Sequence, residues 1–214
     1  MAGRLGIVAL LAVLLASSAF AASGDRERRA INAADQAWAK RINLSLRDLP
    51  RGFTRSRYHT SGPTVLKCNG YAPDLSRFTI TGEAMSRDFA SADGTAIFSA
   101  AEIFRSSSDQ RAEWALTARP EALPCLRQAL KQAAGGAATT ATMRSAPRQG
   151  DRTVSFRATI SLVAQGVKTT VWLDLIGVAH GRGDATLEVT SVRKPPSAAL
   201  ERRLLAKLAS RLHR

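Results

Sequence analysis

The sequence predicts an α+β domain, an antiparallel β-sheet of five to seven strands packed against N-terminal, middle and C-terminal helices and closed by one disulfide. Three observations carry that expectation. Apolar residues alternate along several runs: Phe78, Ile80, Gly82 and Ala84, then Ile97, Ala101 and Ile103, and later Val154 to Leu162. Helical spacing governs Ile31, Ala34, Trp38 and Ile42, then Leu123, Leu126 and Leu130, and finally Leu200 to Leu212. The turns linking successive strands are too tight for anything but antiparallel pairing.

Each element follows from local chemistry. The first helix is expected within Asp25 to Asp48, and Leu49-Pro50-Arg51-Gly52 ends it, because proline disfavours helix at the residue before it. Residues 54–75 are rich in Gly, Pro and Ser, with one short strand around Val65 to Cys68. Asp93-Gly94 reads as a hairpin turn between two strands. Ser107 or Ser108 caps a helix from Asp109 toward Ala118, and Pro120 starts another that stops at Gly135-Gly136. Strands then follow over 139–148, from Val154, over 168–178 and over 185–192, with turns at Gln149-Gly150-Asp151 and Gln165-Gly166. Pro195-Pro196 breaks the sheet, and Ser197 caps a last helix with a leucine stripe.

The first residues carry a different signal. Arg4, the apolar run Ile7 to Ala16 and the small residues Ala19 and Ala21 read as a secretory signal peptide over 1–21. The run is short against the roughly 20 residues that span a hydrocarbon core, and no cysteine near the cut could be acylated. The expected product is a secreted, extracytoplasmic chain with no transmembrane anchor. It divides into an N-terminal helix over 22–48 and one α+β domain over 49–214.

Lys and Arg outnumber Asp and Glu by 31 to 17, for a net charge of +14. Anionic partners follow from that excess: an envelope polymer, a lipid headgroup or an acidic envelope protein. Solubility charge accounts for it equally well. Nucleic acid is not expected, because aromatics are few and no helix-turn-helix, zinc-finger or RNP pattern occurs. Cys68 and Cys125 are the only cysteines, and in an oxidising compartment they read as one bridge closing a loop of about 60 residues, worth on the order of 4 kcal/mol.

No catalytic constellation is legible. The histidines, His59, His180 and His213, have no ligand spacing, so no metal is expected. Gly-x-Ser-x-Gly, phosphate-cradling and dinucleotide fingerprints are absent, so no cofactor is expected. Glu83, Asp88, Asp93 and Glu102 could supply a glycosidase pair but read as solvent-facing carboxylates. Asn43-Leu44-Ser45 matches a glycosylation acceptor, and Arg182-Gly183-Asp184 an adhesion tripeptide; both are short enough to arise by chance. Candidate binding residues are Arg182 and His180 in the glycine-rich turn His180 to Asp184, with Trp172 on an edge strand. The same turn is equally a plain hairpin, its glycines supplying positive φ.

Several short stretches together carry a family resemblance: Leu49-Pro50-Arg51-Gly52-Phe53, then a cysteine-bearing segment, Thr81-Gly82-Glu83-Ala84 in a strand, Pro124-Cys125-Leu126 in a helix, the Gly181-Arg182 turn and a terminal leucine-rich helix. Over Leu49 to Leu212 the chain resembles the exported sensor-type domains of high-GC Gram-positive bacteria, such as the extracellular domain of PknH-type serine/threonine kinases. It is also similar to PsbP-like secreted proteins and lipoproteins. The resemblance implies an antiparallel sheet backed by helices, with a cleft for an unidentified envelope ligand. Such kinase domains often hold two disulfides where this chain can form one, and signalling would require a separate partner.

The expected role is a secreted, non-enzymatic ligand-binding or sensor-type module of the bacterial envelope. The alternatives are a small extracytoplasmic hydrolase with an unrecognised site, or a protein–protein scaffold. A deep pocket lined by convergent titratable groups would favour the hydrolase.

Overall fold

Asn32 sets the first helix. Its side chain accepts a hydrogen bond from the Asp35 amide at 2.9 Å, an N-cap that starts α1 at Ala33 and lets it run to Ile42. The computed structural model describes residues 26–56, 66–68, 70–164, 166–192 and 194–213. The leader expected over 1–21 and His59 lie outside the described residues. Helix is therefore narrower than the 22–48 expected. Arg28–Arg29 before it form strand β1, and a 3-10 turn, Leu46–Asp48, follows it.

Among the described residues no strand forms at the place expected around Val65 to Cys68, where Val65 lies outside the described residues and Cys68 makes only an isolated β-bridge to Tyr71; the remaining elements fall close to their expected places. They are β2 (Phe53–Arg55), β3 (Thr79–Met85), β4 (Phe89–Ser91), β5 (Thr95–Phe104), α2 (Ser107–Thr117), α3 (Ala122–Ala133), β6 (Ala138–Met143), β7 (Arg152–Ala164), β8 (Val167–His180), β9 (Gly183–Val192) and α4 (Ala198–Leu212). Ser106, one residue before the expected caps, accepts from the Asp109 amide at 3.0 Å and starts α2. Ser197 caps α4 as expected, accepting from Leu200.

Among the described residues one sheet contains all nine strands, in the order β1-β3-β5-β9-β8-β7-β6, with β4 beside β5 and β2 beside β4. This corrects the expected five to seven strands and a purely antiparallel sheet: β1 pairs with β3 in parallel. The extra strands β1, β2 and β4 are two or three residues long. Strands that short show no alternation, and only a neighbour's hydrogen bonds define them, such as Arg28 N–H to the Phe78 carbonyl at 2.9 Å.

Two helices cover one face of the sheet. Trp38 and Ile42 of α1 and Leu204 and Leu208 of α4 pack on Ile103, Val178 and Leu187, all buried. The approach is close at Gly82, where an added Cβ would stand 2.4 Å from the Asp35 backbone. On the opposite face α3 lays Leu130 over Ile160, Val171 and Val192. Helix α2 crosses the other end of that face, above β5 and β9. Cys68 and Cys125 form the expected disulfide, with Cα atoms 5.3 Å apart, and it ties the segment before β3 to α3. Among the described residues no helix is long and apolar enough to cross a membrane.

Candidate functional site

Between α2, α3 and the sheet the packing opens into a cavity of about 1270 Å³. Cross-strand register explains why. Met85, Ala100, Thr186, Gly177 and Val154 form one row across β3, β5, β9, β8 and β7. Three successive small residues leave the middle of the floor low. Trp114 of α2 hangs over Gly177, where an added Cβ would meet its ring at 3.0 Å. Leu175, Phe156, Tyr71 and Leu126 complete the apolar wall, and the Tyr71 hydroxyl donates to the Leu116 and Thr117 carbonyls at 3.3 and 3.2 Å.

The neighbouring row is acidic. Glu83, Glu102 and Asp184 lie in direct register across β3, β5 and β9, followed by Ala179 and then Arg152. Directly opposed side chains on adjacent strands have Cβ atoms about 5 Å apart, so these carboxyls crowd one another. Above them α2 presents Gln110, Glu113, Trp114 and Thr117, which share one helical face. Gln110, fully buried, donates to Asp184 at 3.3 Å and accepts from Arg152. Glu27, Arg29, Arg26 and Lys40 stand at the cavity's β1 and α1 side, with Arg29 paired to Glu83 at 3.0 Å.

Burial and mutual repulsion raise the carboxyls of the acidic group. Burial pushes the Glu102 carboxyl well above its ordinary range, and Asp184 adds to that. Asp184 is likewise pushed well above, by burial and then by Glu113. Glu113 is pushed up to about 8 by burial and by Glu102. Each shift favours the protonated form, in which a carboxyl can donate a hydrogen bond as well as accept one. The expectation of solvent-facing carboxylates therefore fails for Glu102, which the α2 roof encloses, and for Asp88, which is buried.

The residues singled out from the sequence sit elsewhere, and none of the three lines this cavity. Arg182 makes a bidentate pair with Asp35, one arm at 2.8 Å, donates to the Phe104 carbonyl at 3.0 Å and lies over the Trp38 ring. His180 contacts Asp151 at 3.1 Å and packs against the His213 ring. Trp172 lies not on an edge strand, as expected, but on β8 between β7 and β9, half-buried on the face opposite the cleft. Asn43 is buried and accepts from Ser99 at 2.9 Å, so its glycosylation signal is enclosed. Of the adhesion tripeptide, Arg182 faces Asp35 while Asp184 faces the cleft. Sequence reasoning missed Asp184 and Glu113. The signal that could have found them is the stripe Gln110, Glu113, Trp114 and Thr117, polar where a sheet-packing helix face is ordinarily apolar.

Among the described residues no group of three or more His, Cys, Asp or Glu side chains could hold a metal ion. Comparison with protein-family models, curated proteins and solved structures finds no match for this chain.

Proposed function

We propose that the chain is an exported, non-enzymatic ligand-binding module of the bacterial envelope, of the sensor type its sequence resembles, and that its site is the cleft under α2 and α3. The observation that carries this reading is the cavity itself. Ligand sites are concave, mostly apolar and furnished with a few converging polar groups, and about 300–1,000 Å³ suffices for a small molecule. A cavity of about 1270 Å³ meets that description with room for an elongated occupant. The basic surface and the Arg182 turn then serve solubility and folding before recognition.

Filling the floor tests the proposal. Thr186 is exposed to the cavity at its centre, so Thr186→Phe should block the cleft with little effect on the core face. We expect the variant to bind the neutral fluorophore N-phenyl-1-naphthylamine at least about 10-fold more weakly than wild type, equivalent to 1.4 kcal/mol. A folded variant that binds the fluorophore as wild type does would place the site elsewhere.

One observation favours hydrolysis as a second reading. Glu102, whose protonated form burial favours, stands in register with the Arg29-paired Glu83. A protonated carboxyl beside an ionised one supplies the acid and the nucleophile that a retaining glycosidase needs. Release of new reducing ends from an envelope glycan by wild type, lost in Glu102→Gln, is the outcome it requires. No release by wild type across a panel of glycans removes it.

A further inference from the structure

We infer that the occupant of the cleft is a zwitterionic amphiphile, with its ammonium on the Glu83–Glu102–Asp184 row, its anionic group at Arg26, Arg29 and Lys40, and its apolar body along the Trp114 wall. This rests on the cleft being a ligand site and adds the chemical class of the ligand.

Charge complementarity makes the choice. The groups facing the row are Glu27, just before β1, Arg29 from β1, Glu83 from β3, Glu102 from β5, Asp184 from β9, Arg152 from β7, and Gln110 and Glu113 from α2. Arg29 is already paired with Glu83, and Arg152 is bonded to Gln110. Among the described residues no cation lies within ion-pair distance of Glu102 or Glu113. Glu102 and Glu113 thus favour their protonated forms for want of a counter-charge, which a bound ammonium supplies as they ionise. A purely cationic ligand would meet an unfavourable approach, because Arg26, Arg29 and Lys40 line the cavity and the chain carries +14. A purely anionic one would leave Glu102 and Glu113 without a counter-charge.

Only a molecule with both charges close together satisfies both places. Arg29 and Glu83 are 3.0 Å apart, so the anion-binding and ammonium-binding edges adjoin, as the charges of a phosphoethanolamine head do. The wall of Trp114, Val154, Phe156 and Leu175 has no use for a free headgroup. It favours an attached hydrocarbon chain, so the source is a lipid rather than a soluble phosphoamine.

Calorimetric titration of the purified chain at pH 7 tests this. The probes are short-chain lysophosphatidylethanolamine, lysophosphatidylglycerol of the same chain length, and tail-free phosphoethanolamine, all below aggregation. The ethanolamine lipid should bind at least about 10-fold more tightly than either other probe. Its heat should depend on the buffer, because carboxyls that ionise against the ammonium release protons. In Glu102→Gln/Asp184→Asn the preference over the glycerol lipid should fall below about 3-fold. Should that variant not fold, Glu113→Gln must show a reduced preference and reduced proton release instead. Equal affinity for the two lipids, equal affinity for the tail-free head, or a preference unchanged in the folded variants overturns the inference. The cleft reading itself falls only if neither these probes nor N-phenyl-1-naphthylamine bind.

Discussion

Arg182→Ala should destabilise the protein by about 3–5 kcal/mol, the cost of breaking a buried ion pair from one side. Its partner Asp35 is only 4% exposed. The Arg182 guanidinium holds the Asp35 carboxyl far below the usual carboxylate range against the opposing effect of burial, with help from the Thr81 hydroxyl at 2.7 Å and the Asn32 amide at 2.9 Å. Without Arg182 the buried, ionised carboxylate would lose its bidentate guanidinium partner. The effect reaches the fold because this pair joins the β8–β9 turn to the start of α1, while Arg182 also caps the end of β5 through the Phe104 carbonyl. Urea denaturation checks the magnitude. Adding Asp35→Asn to the variant should recover a substantial part of the loss, since it removes the stranded charge. A loss below 1 kcal/mol would mean that the pair does not hold the turn in place. Ligand-binding tests on Arg182→Ala consequently need a control for folding.

Between pH 5 and pH 8 the protein should lose stability, and Glu113→Gln should recover part of that loss. The folded-state carboxyl of Glu113 is raised from 4.5 to about 8. Across that window the unfolded chain has released the proton and the folded chain still holds it. The folded state therefore binds more protons, and stability falls as pH rises. Below about pH 4.5 both states are protonated and the contribution is fully present. Above about pH 8 it is gone. Glu201, pushed up to about 8 by burial and Asp174, and Glu188, pushed up to about 7 by burial and Asp88, act in the same direction.

At the acid end the sign reverses. Asp35, held down chiefly by Arg182, and Asp48, brought to about 2 as Arg211 and Ser45 outweigh its burial, lose their ion-pair stabilisation as pH falls below 3.8. Stability should peak between about pH 4 and 5. Thermal melts of Glu113→Gln should match wild type near pH 4.5 and exceed it by about 5 °C or more at pH 8. Wild-type melts that are flat or rising from pH 5 to 8 would count against a protonated cleft.

The leucine stripe of α4 and its Ser197 cap, the long strands β7 to β9 and the Cys68–Cys125 bridge were legible in the sequence because each depends on local periodicity, capping or the count of two cysteines. The cleft was not. Asp184, Thr186, Glu188 and Thr190 alternate with buried Ala185, Leu187 and Val189, and one such strand reads as dry on one side and wet on the other. Nothing in that alternation says that α2 roofs part of the wet side. Arg182 misled for the related reason that a turn arginine looks free until its partner, 147 residues away in sequence, is placed beside it.

By itself the sequence determined the α+β class, the order and type of the long elements, the bridge and the basic charge. Only tertiary structure decided the nine-strand mixed sheet, the Arg182–Asp35 pair, and the cleft with its row of carboxyls. Patterning specifies which side of an element is apolar, whereas a site depends on which residues of different elements meet. Here register brings Ala100, Thr186 and Gly177 side by side to hollow the floor, and Glu83, Glu102 and Asp184 side by side to charge its edge.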